Sequence, residues 1–437
     1  MKGEVRKPWW AWVFFYSPVP AGITARQWTM LGALGATYLV NSYDLGVLNL
    51  ALPQIQASFA LSEEDVGKLA AVVRLGVLPA LALSVMADRI GRRSLLLMTI
   101  LGFTLCTFLT AFARTPVEFA VLQFFARTFV YAEEMLAIVV VTEVLAPQAR
   151  GWGIGLMIAF GALGHGTSAL MFSLVDVLPY GWRAMYLLGA LPLLLVAWLR
   201  RSLEETERFV ANSQKREGAL PDWLGPAREL LRRYPGRLLA LSVALVPVAF
   251  AGGTAIQFQS KYLQGVHGYS PAEVSLLFLV GGPIAMTGGL LFGRTSDRFG
   301  RRRVLSTAIT VNVLATIGFY NGAGLLLPVV WVLTIFTQFG IDVLFSALGS
   351  ELFATSFRST ASGMRSIVAT VAIAAGLAVE GSLYAALGGH AEAITAMAWL
   401  ALAAPFIVML FVPETAGRVL EEIAPDEDDG PPRSVAS

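Results

Sequence analysis

The sequence predicts an all-α membrane protein, with twelve transmembrane helices arranged as two six-helix, pseudo-symmetric bundles. Three observations predict it. The 437 residues are 56% hydrophobic and only 14% charged, where a soluble domain carries about a quarter charged residues, and apolar runs recur from residue 28 to residue 412. The Lys and Arg residues gather on one side of the predicted spans. Short polar motifs of the first half return in the second at a nearly constant offset.

Residues 1–27 carry Lys2, Arg6, Lys7 and Arg26 around the aromatic run Trp9-Trp10-Ala11-Trp12-Val13-Phe14-Phe15-Tyr16. Pro18 and Pro20 follow it, and it is too short to span. It also lacks the long apolar core and small-residue cleavage site of a signal peptide. Indole and phenol rings favour the headgroup level, so this segment reads as a cytoplasmic N-terminus with an interfacial anchor. Twelve spans follow, at 28–52, 66–86, 95–113, 116–145, 152–175, 183–200, 237–262, 273–294, 304–322, 325–350, 364–387 and 391–412. They form an N-terminal bundle over 28–200 and a C-terminal bundle over 237–412. With both termini cytoplasmic, all but six of the 32 basic residues lie in cytoplasmic segments; the six are Lys68, Arg74, Arg114, Arg127, Arg183 and Lys261. The opposite orientation reverses that bias. The hydrophilic stretch 201–236 is a cytoplasmic central loop, and 413–437 is a cytoplasmic tail, acidic and then Pro/Ser-rich.

The single cysteine, Cys106, lies in an apolar run and excludes an intrachain disulfide. A net charge of +2 gives no sign of a nucleic-acid partner. No nucleotide loop, metal-ligand cluster or nucleophile constellation points to an enzyme, and no cofactor is called for.

The halves repeat. Asp88-Arg89-Ile90-Gly91-Arg92-Arg93 returns as Asp297-Arg298-Phe299-Gly300-Arg301-Arg302. Glu143 and Arg150 return as Glu351 and Arg358, and Glu205-Thr206 with Arg208 returns as Glu414-Thr415 with Arg418. Parallel repeats of this kind place a binding site near mid-membrane between the halves. The loop from Gly293 to Arg302 matches G-x-x-x-D-R-x-G-R-R, the signature loop of the major facilitator superfamily, and the first copy has Ser84 in place of the leading glycine. The chain resembles that superfamily over its whole length, which implies the major facilitator fold. Tyr43-Asp44-Leu45-Gly46-Val47 with Ala51-Leu52-Pro53, Glu143-x3-Pro147-x2-Arg150-Gly151, and Pro413-Glu414-Thr415-x-Gly417-Arg418 resemble its sugar-porter and aromatic-acid:proton symporter groups. The second half lacks the paired Gln and the Gly-Pro-x-x-Trp element of sugar porters. Asn41 stands where the aromatic-acid group usually carries a first acid.

Asp44 sits mid-span, where a carboxylate costs about 2.5–3.5 kcal/mol on insertion scales. Arg127 is midway along span 4, and the resemblance implies that spans 1 and 4 are neighbours, so that the two pair. Desolvation favours the protonated acid and a nearby cation favours the ionised one. A carboxylate balanced between them can load and release a proton; the bland alternative is a static ion pair between helices. At 100° per residue, Tyr131 and Glu134 fall on the face of Arg127 while Glu133 points away. Glu134 is thus a second candidate proton site, and Glu133 is expected against a neighbouring helix or at the outer end. Solvent exposure at the outer end is the alternative for both. Asn41, Arg74, Tyr131, Gln257, Gln259, Gln338 and Asp342 are candidate substrate contacts. Gln257 and Gln259 lie about 200° apart, so at most one faces a cavity squarely. Gln338, Asp342 and Ser346 share a helix face, and polar contacts between helices are the alternative for these and for Gln257 and Gln259, while Arg74 could instead snorkel outward. Glu380 and His165 are weaker candidates, the glycines around His165 serving close helix packing.

The resemblance implies a cytoplasmic gate of ion pairs from Asp88, Arg92, Glu143, Arg150, Glu205, Arg208, Asp297, Arg301, Glu351, Arg358, Glu414 and Arg418; the plainer alternative is that these charges enforce topology. The expected function is proton-coupled symport of a small organic solute by alternating access, an organic or aromatic acid before a sugar. Arg74 and Arg127 favour an acid, since an arginine fork recognises carboxylate. The runner-up is a proton-coupled exporter, but the glycines of span 5 come without the exporter motif's proline. A sensor built on the same scaffold would carry a long signalling loop. The expected partners are substrate, protons and lipid, in a monomer of the inner membrane.

Overall fold

The structure, a computed structural model, describes residues 20–200 and 225–417 apart from Ala21 and Gly91, without the side chains of 84–93, 147, 193–200 and 355. The aromatic run, most of the central loop, Glu205, Arg208, the tail from Arg418 and the side chains of Asp88 and Arg92 lie outside the described residues. Among the described residues there is no strand. The helices are α1 (Ala25–Leu50), α2 (Leu52–Phe59), α3 (Glu63–Leu75), α4 (Val77–Ile90), α5 (Arg92–Thr110), α6 (Pro116–Val144), α7 (Arg150–Phe172), α8 (Trp182–Arg200), α9 (Gly225–Arg233), α10 (Pro235–Gly265), α11 (Pro271–Phe299), α12 (Arg301–Asn321), α13 (Leu326–Glu351), α14 (Arg358–Leu387), α15 (His390–Ala401) and α16 (Ala403–Phe411).

Each predicted span is helical, and two are broken. Span 2 is α3 and α4, interrupted at Gly76, and span 12 is α15 and α16, interrupted at Leu402. Pro79 explains the first break: its ring clashes with the carbonyl four residues back, at Leu75, and it has no N–H to donate there. Helix starts follow local chemistry. Thr24 and Gln27 form a reciprocal capping box at α1, and Thr115 caps α6 ahead of Pro116. Gly388, at φ +94°, ends α14 in the left-handed conformation. Eight described helical stretches are long and apolar enough to cross a bilayer by length and composition. The 26-residue α1 and 29-residue α6 also have the length, and their apolar character is diluted by Asn41, Asp44, Arg127, Glu133 and Glu134. The chain is thus a multi-pass membrane protein.

Two compact units divide the chain. The first comprises residues up to Ala60, Val72–Leu220 and Tyr269–Ser275; the second comprises Leu61–Ala71, Pro221–Gly268 and residues from Leu276. In the first unit α1 packs on α7 and α8, α6 on α4 and α5, and α5 on α8. Its core runs from Trp28, Leu31 and Leu34 through Leu95, Leu136, Val140 and Met157. An edge-to-face cluster of Phe119, Trp182 and Tyr186 closes one end. In the second unit α10 packs on α14, α15 and α16, and α12 on α13 and α15. Leu241, Leu305, Ile341, Leu344, Phe345 and Met397 lie at its centre.

Candidate functional site

The first unit presents a buried polar cluster around Asp44. Helix α1 is fixed on two sides. A Cβ on Gly164 of α7 would meet the Leu39 carbonyl oxygen at 2.0 Å, so only glycine lets the two backbones approach this closely. On the other side the Tyr43 hydroxyl donates to the Met185 carbonyl of α8 at 2.8 Å. Asp44 is left to face α5 and α6. Thr107 of α5 donates to Asp44 Oδ1 at 3.3 Å, and Arg127 Nη1 lies 3.6 Å from Asp44 Oδ2. Asp44 and Arg127 are 1% and 3% exposed.

The break in span 2 positions the arginine. Thr128 donates its hydroxyl to the Gly76 carbonyl at 2.8 Å, at the interruption itself. A Cβ on Gly76 would sit 2.2 Å from the Phe124 carbonyl oxygen and 3.0 Å from Arg127 Cβ. The kink therefore seats against the turn of α6 that carries Arg127.

The pair is close enough for strong Coulomb attraction but beyond hydrogen-bond length. Neither Nη atom of Arg127 has a hydrogen-bond partner, and neither does the Asp44 Oδ2 or the buried Asn41 amide. A buried polar atom left so costs about 1–3 kcal/mol.

Around this centre the other expected residues distribute unevenly. Tyr131 and Arg74 meet, the guanidinium Nη1 donating to the tyrosine hydroxyl at 3.3 Å. Glu134 is half-buried and Glu133 is buried. Both lie past the middle of α6, toward its Val144 end, away from the Pro116 end where the outer surface was expected. Tyr38 donates to the Glu134 backbone carbonyl at 3.3 Å. His165 is exposed and lies beside α1, its Nδ1 3.5 Å from where a Cβ on Gly46 would be. Sequence reasoning missed Thr107. Its signal is the Thr104, Thr107, Thr110 stripe at helical spacing on an otherwise apolar span.

In the second unit, Gln338 Nε2 donates to Asp342 Oδ1 at 3.1 Å along α13, and Gln338 Oε1 lies 3.2 Å from where a Cβ on Gly252 of α10 would sit. Gln257 is half-buried with its Nε2 unpartnered. Gln259 is 1% exposed, and its carbonyl accepts from the Trp331 indole at 3.0 Å. Gln259 thus links α10 to α13 through its carbonyl, while its Nε2, like that of Gln257, has no hydrogen-bond partner. Arg365 on α14, half-buried and within electrostatic reach of Asp342, is a cation that the sequence reading passed over.

At the predicted cytoplasmic end of the second unit the repeated motifs converge. Arg301 makes a fork to Glu351, Nη2 to Oε1 at 2.9 Å and Nε to Oε2 at 3.3 Å, and pairs with Asp297 at 2.7 Å. Thr415 donates to Glu351 at 2.5 Å. Glu414 accepts from the backbone N–H groups of Arg301, Arg302, Thr415 and Ala416. Partial burial raises the proton affinity of its carboxyl, but these four N–H groups outweigh that and hold its pKa below the ordinary value. Gly300, at φ +98°, is required here twice over, because a Cβ would come within 2.7 Å of Glu414 Oε2. Arg358 is half-buried, and its Nε has no hydrogen-bond partner. In the first unit Glu143 is half-buried and Arg150 donates to the Leu145 carbonyl at 3.4 Å.

Comparison with known proteins decides the family. The model of the Major Facilitator Superfamily matches residues 34–291 and 242–433. The chain belongs to the major facilitator superfamily. It is a transporter, not an enzyme. It is 25% identical over 410 residues to a protein of Cupriavidus pinatubonensis named as a probable 4-methylmuconolactone transporter, covering 91% of this chain and 93% of that one. It is 26% identical over 372 residues to a gallate transporter of Pseudomonas putida, covering 77% and 81%. Among solved structures, the D-xylose-proton symporter superposes with a TM-score of 0.74 at 18% identity, covering 90% of this chain and 99% of that one; this likeness is one of fold.

Proposed function

We propose that this major facilitator protein is a proton-coupled symporter of a small organic acid, an aromatic acid before any other, working by alternating access. The observation that carries the reading is the buried Asp44–Arg127 pair, 3.6 Å apart with Thr107 on the carboxylate. Protonation of Asp44 removes its attraction for Arg127 and frees the guanidinium, whose Nη atoms are already without hydrogen bonds. A substrate carboxylate is the natural acceptor for that freed fork. Proton loading and anion binding are then two sides of one exchange of partners. The names of the relatives support an acid: gallate, benzoate and cis,cis-muconate transporters are among them. Tyr131, Arg74, Asn41, Gln257, Gln338 and Asp342 supply further polar contacts, with Glu134 as a second proton site. The ion-paired helix ends at Asp297, Arg301, Glu351 and Glu414 serve as gate contacts remade in each cycle. The protein works as a monomer in the inner membrane with both termini cytoplasmic.

The test is uptake of labelled gallate or benzoate into proteoliposomes under an imposed inward proton gradient. Accumulation above equilibrium that collapses when a protonophore is added is expected. Equal uptake with and without the gradient would refute proton coupling.

A further inference from the structure

Two arginines of the first unit are fixed against one stretch of α6, and the coupling pair uses only one of them. Arg74 lies in the last turn of α3, two residues before the break at Gly76. Gly76 bears on the turn of α6 that carries Arg127, its Cβ position lying 3.0 Å from Arg127 Cβ. Arg74 reaches the next turn, its Nη1 donating to the Tyr131 hydroxyl at 3.3 Å. Tyr131 is four residues beyond Arg127, which is about 6 Å along the helix and about 40° around it. It stands fifteen residues from Pro116 and thirteen from Val144, the two ends of α6. The bond therefore holds the Arg74 guanidinium in mid-span, where it does not snorkel outward.

Both guanidinium groups have donors to spare. Nη1 and Nη2 of Arg127 and Nε of Arg74 are buried without hydrogen-bond partners, although a guanidinium carries five N–H groups and accepts nothing. The two differ in their neighbours. Arg127 faces the Asp44 carboxylate at 3.6 Å, whereas Arg74 is bonded to a neutral hydroxyl. The other acid on this face of α6 is Glu134, three residues past Tyr131, and the charges within its electrostatic reach are those of Glu133 and Arg127. A cation held in mid-span beside a neutral partner is expensive, and such residues mark substrate sites. An arginine fork recognises a carboxylate. Two forks about one helical turn apart offer places for two of them.

We propose, resting on the acid-symport reading above, that the preferred substrate is a dicarboxylic acid whose two carboxylates sit at opposite ends of a short, rigid body. One carboxylate takes the Arg127 fork as Asp44 is protonated, which also removes the nearest repelling charge. The other takes Arg74, with the Tyr131 hydroxyl beside it. Arg74 is then the residue that tells a diacid from a monoacid of the same ring. A hydroxyl at the far end of the substrate could accept from Arg74 but would bring no charge to balance it, so a diacid ranks ahead of a hydroxy acid.

The test compares KM for labelled benzoate, benzene-1,2-dicarboxylate and benzene-1,4-dicarboxylate in proteoliposomes of the full-length protein under an inward proton gradient. In the wild type the 1,4-diacid should have a KM lower than that of benzoate by about ten- to a hundredfold, the worth of one charge-assisted hydrogen bond. The 1,2-diacid, whose carboxylates lie too close together to reach both forks, should behave like benzoate. Arg74→Gln should bring the KM values of benzoate and the 1,4-diacid together, and Arg74→Lys, which keeps the charge without the fork, should restore part of the difference. A guanidinium that served only the C-terminal dipole of α3 would leave the ratio unchanged on substitution, and that result would overturn the proposal. Proton-driven benzoate uptake with no preference for the 1,4-diacid in the wild type would also overturn it, while leaving the acid-symport reading in place. Absence of proton-driven uptake for every acid would overturn that reading and this inference with it. The wild-type comparison stands even if an Arg74 variant fails to fold.

Discussion

Replacing Asp44 with asparagine should separate coupling from transport. The substitution keeps the shape of the side chain and removes its capacity to be ionised. At 3.6 Å and an effective dielectric of about 20, the attraction lost is about 4–5 kcal/mol. Removing one partner of a buried pair typically destabilises by about 3–5 kcal/mol, because the other charge is stranded. A one-unit pH gradient is worth about 1.4 kcal/mol per proton, or about tenfold accumulation. In proteoliposomes with that gradient, the wild type should accumulate labelled substrate about tenfold if one proton moves per substrate. Asp44→Asn should stop at the equilibrium level while retaining counterflow exchange within about tenfold of the wild type. The double variant Asp44→Asn with Arg127→Gln should unfold at a higher temperature than the single one, since no charge is stranded. Gradient-driven accumulation by Asp44→Asn, or equal loss of accumulation and exchange, would refute the coupling role.

Three further outcomes follow from the same geometry. Arg127→Ala removes both the counter-charge of Asp44 and the proposed carboxylate fork, so uptake and counterflow should both vanish; retained proton-driven uptake would show that the pair is dispensable. Gly76→Ala places a methyl 2.2 Å from the Phe124 carbonyl oxygen and should cost about 1–3 kcal/mol by overpacking, read as a lower unfolding temperature and slower uptake; unchanged values would mean the kink does not seat Arg127. Glu414 has a depressed carboxyl pKa, so its stabilising effect is complete above the ordinary Glu value of about 4.3 and is lost as pH falls through the lower folded value. The gap in unfolding temperature between wild type and Glu414→Gln should therefore be largest near neutrality and shrink in acid, and a gap that grows in acid would contradict the four-N–H cradle.

What the sequence made legible was whatever repeats locally. Apolar runs gave the helices, and the duplicated Asp-Arg-x-Gly-Arg-Arg and Pro-Glu-Thr motifs gave the groups that meet at Arg301 and Glu414. Helical periodicity put Glu134 on the Arg127 side of α6 but did not fix the burial of Glu133, which depends on the neighbouring helices. The break at Gly76 escaped notice because Pro79 lies inside a continuous apolar run, where membrane helices tolerate proline. Gln257 and Gln259 were indistinguishable until Trp331, some seventy residues away, claimed one of them.

The central claim is that a proton and an organic acid move together through a site controlled by Asp44. External pH recorded in lightly buffered cells overproducing the protein, after pulses of aromatic acids, dicarboxylates, hydroxy acids and sugars, tests it most directly, with an Asp44→Asn strain as the control for passive weak-acid entry. The account predicts alkalinisation on aromatic-acid pulses in the wild-type strain alone. Identical traces from the two strains on every acid would contradict it.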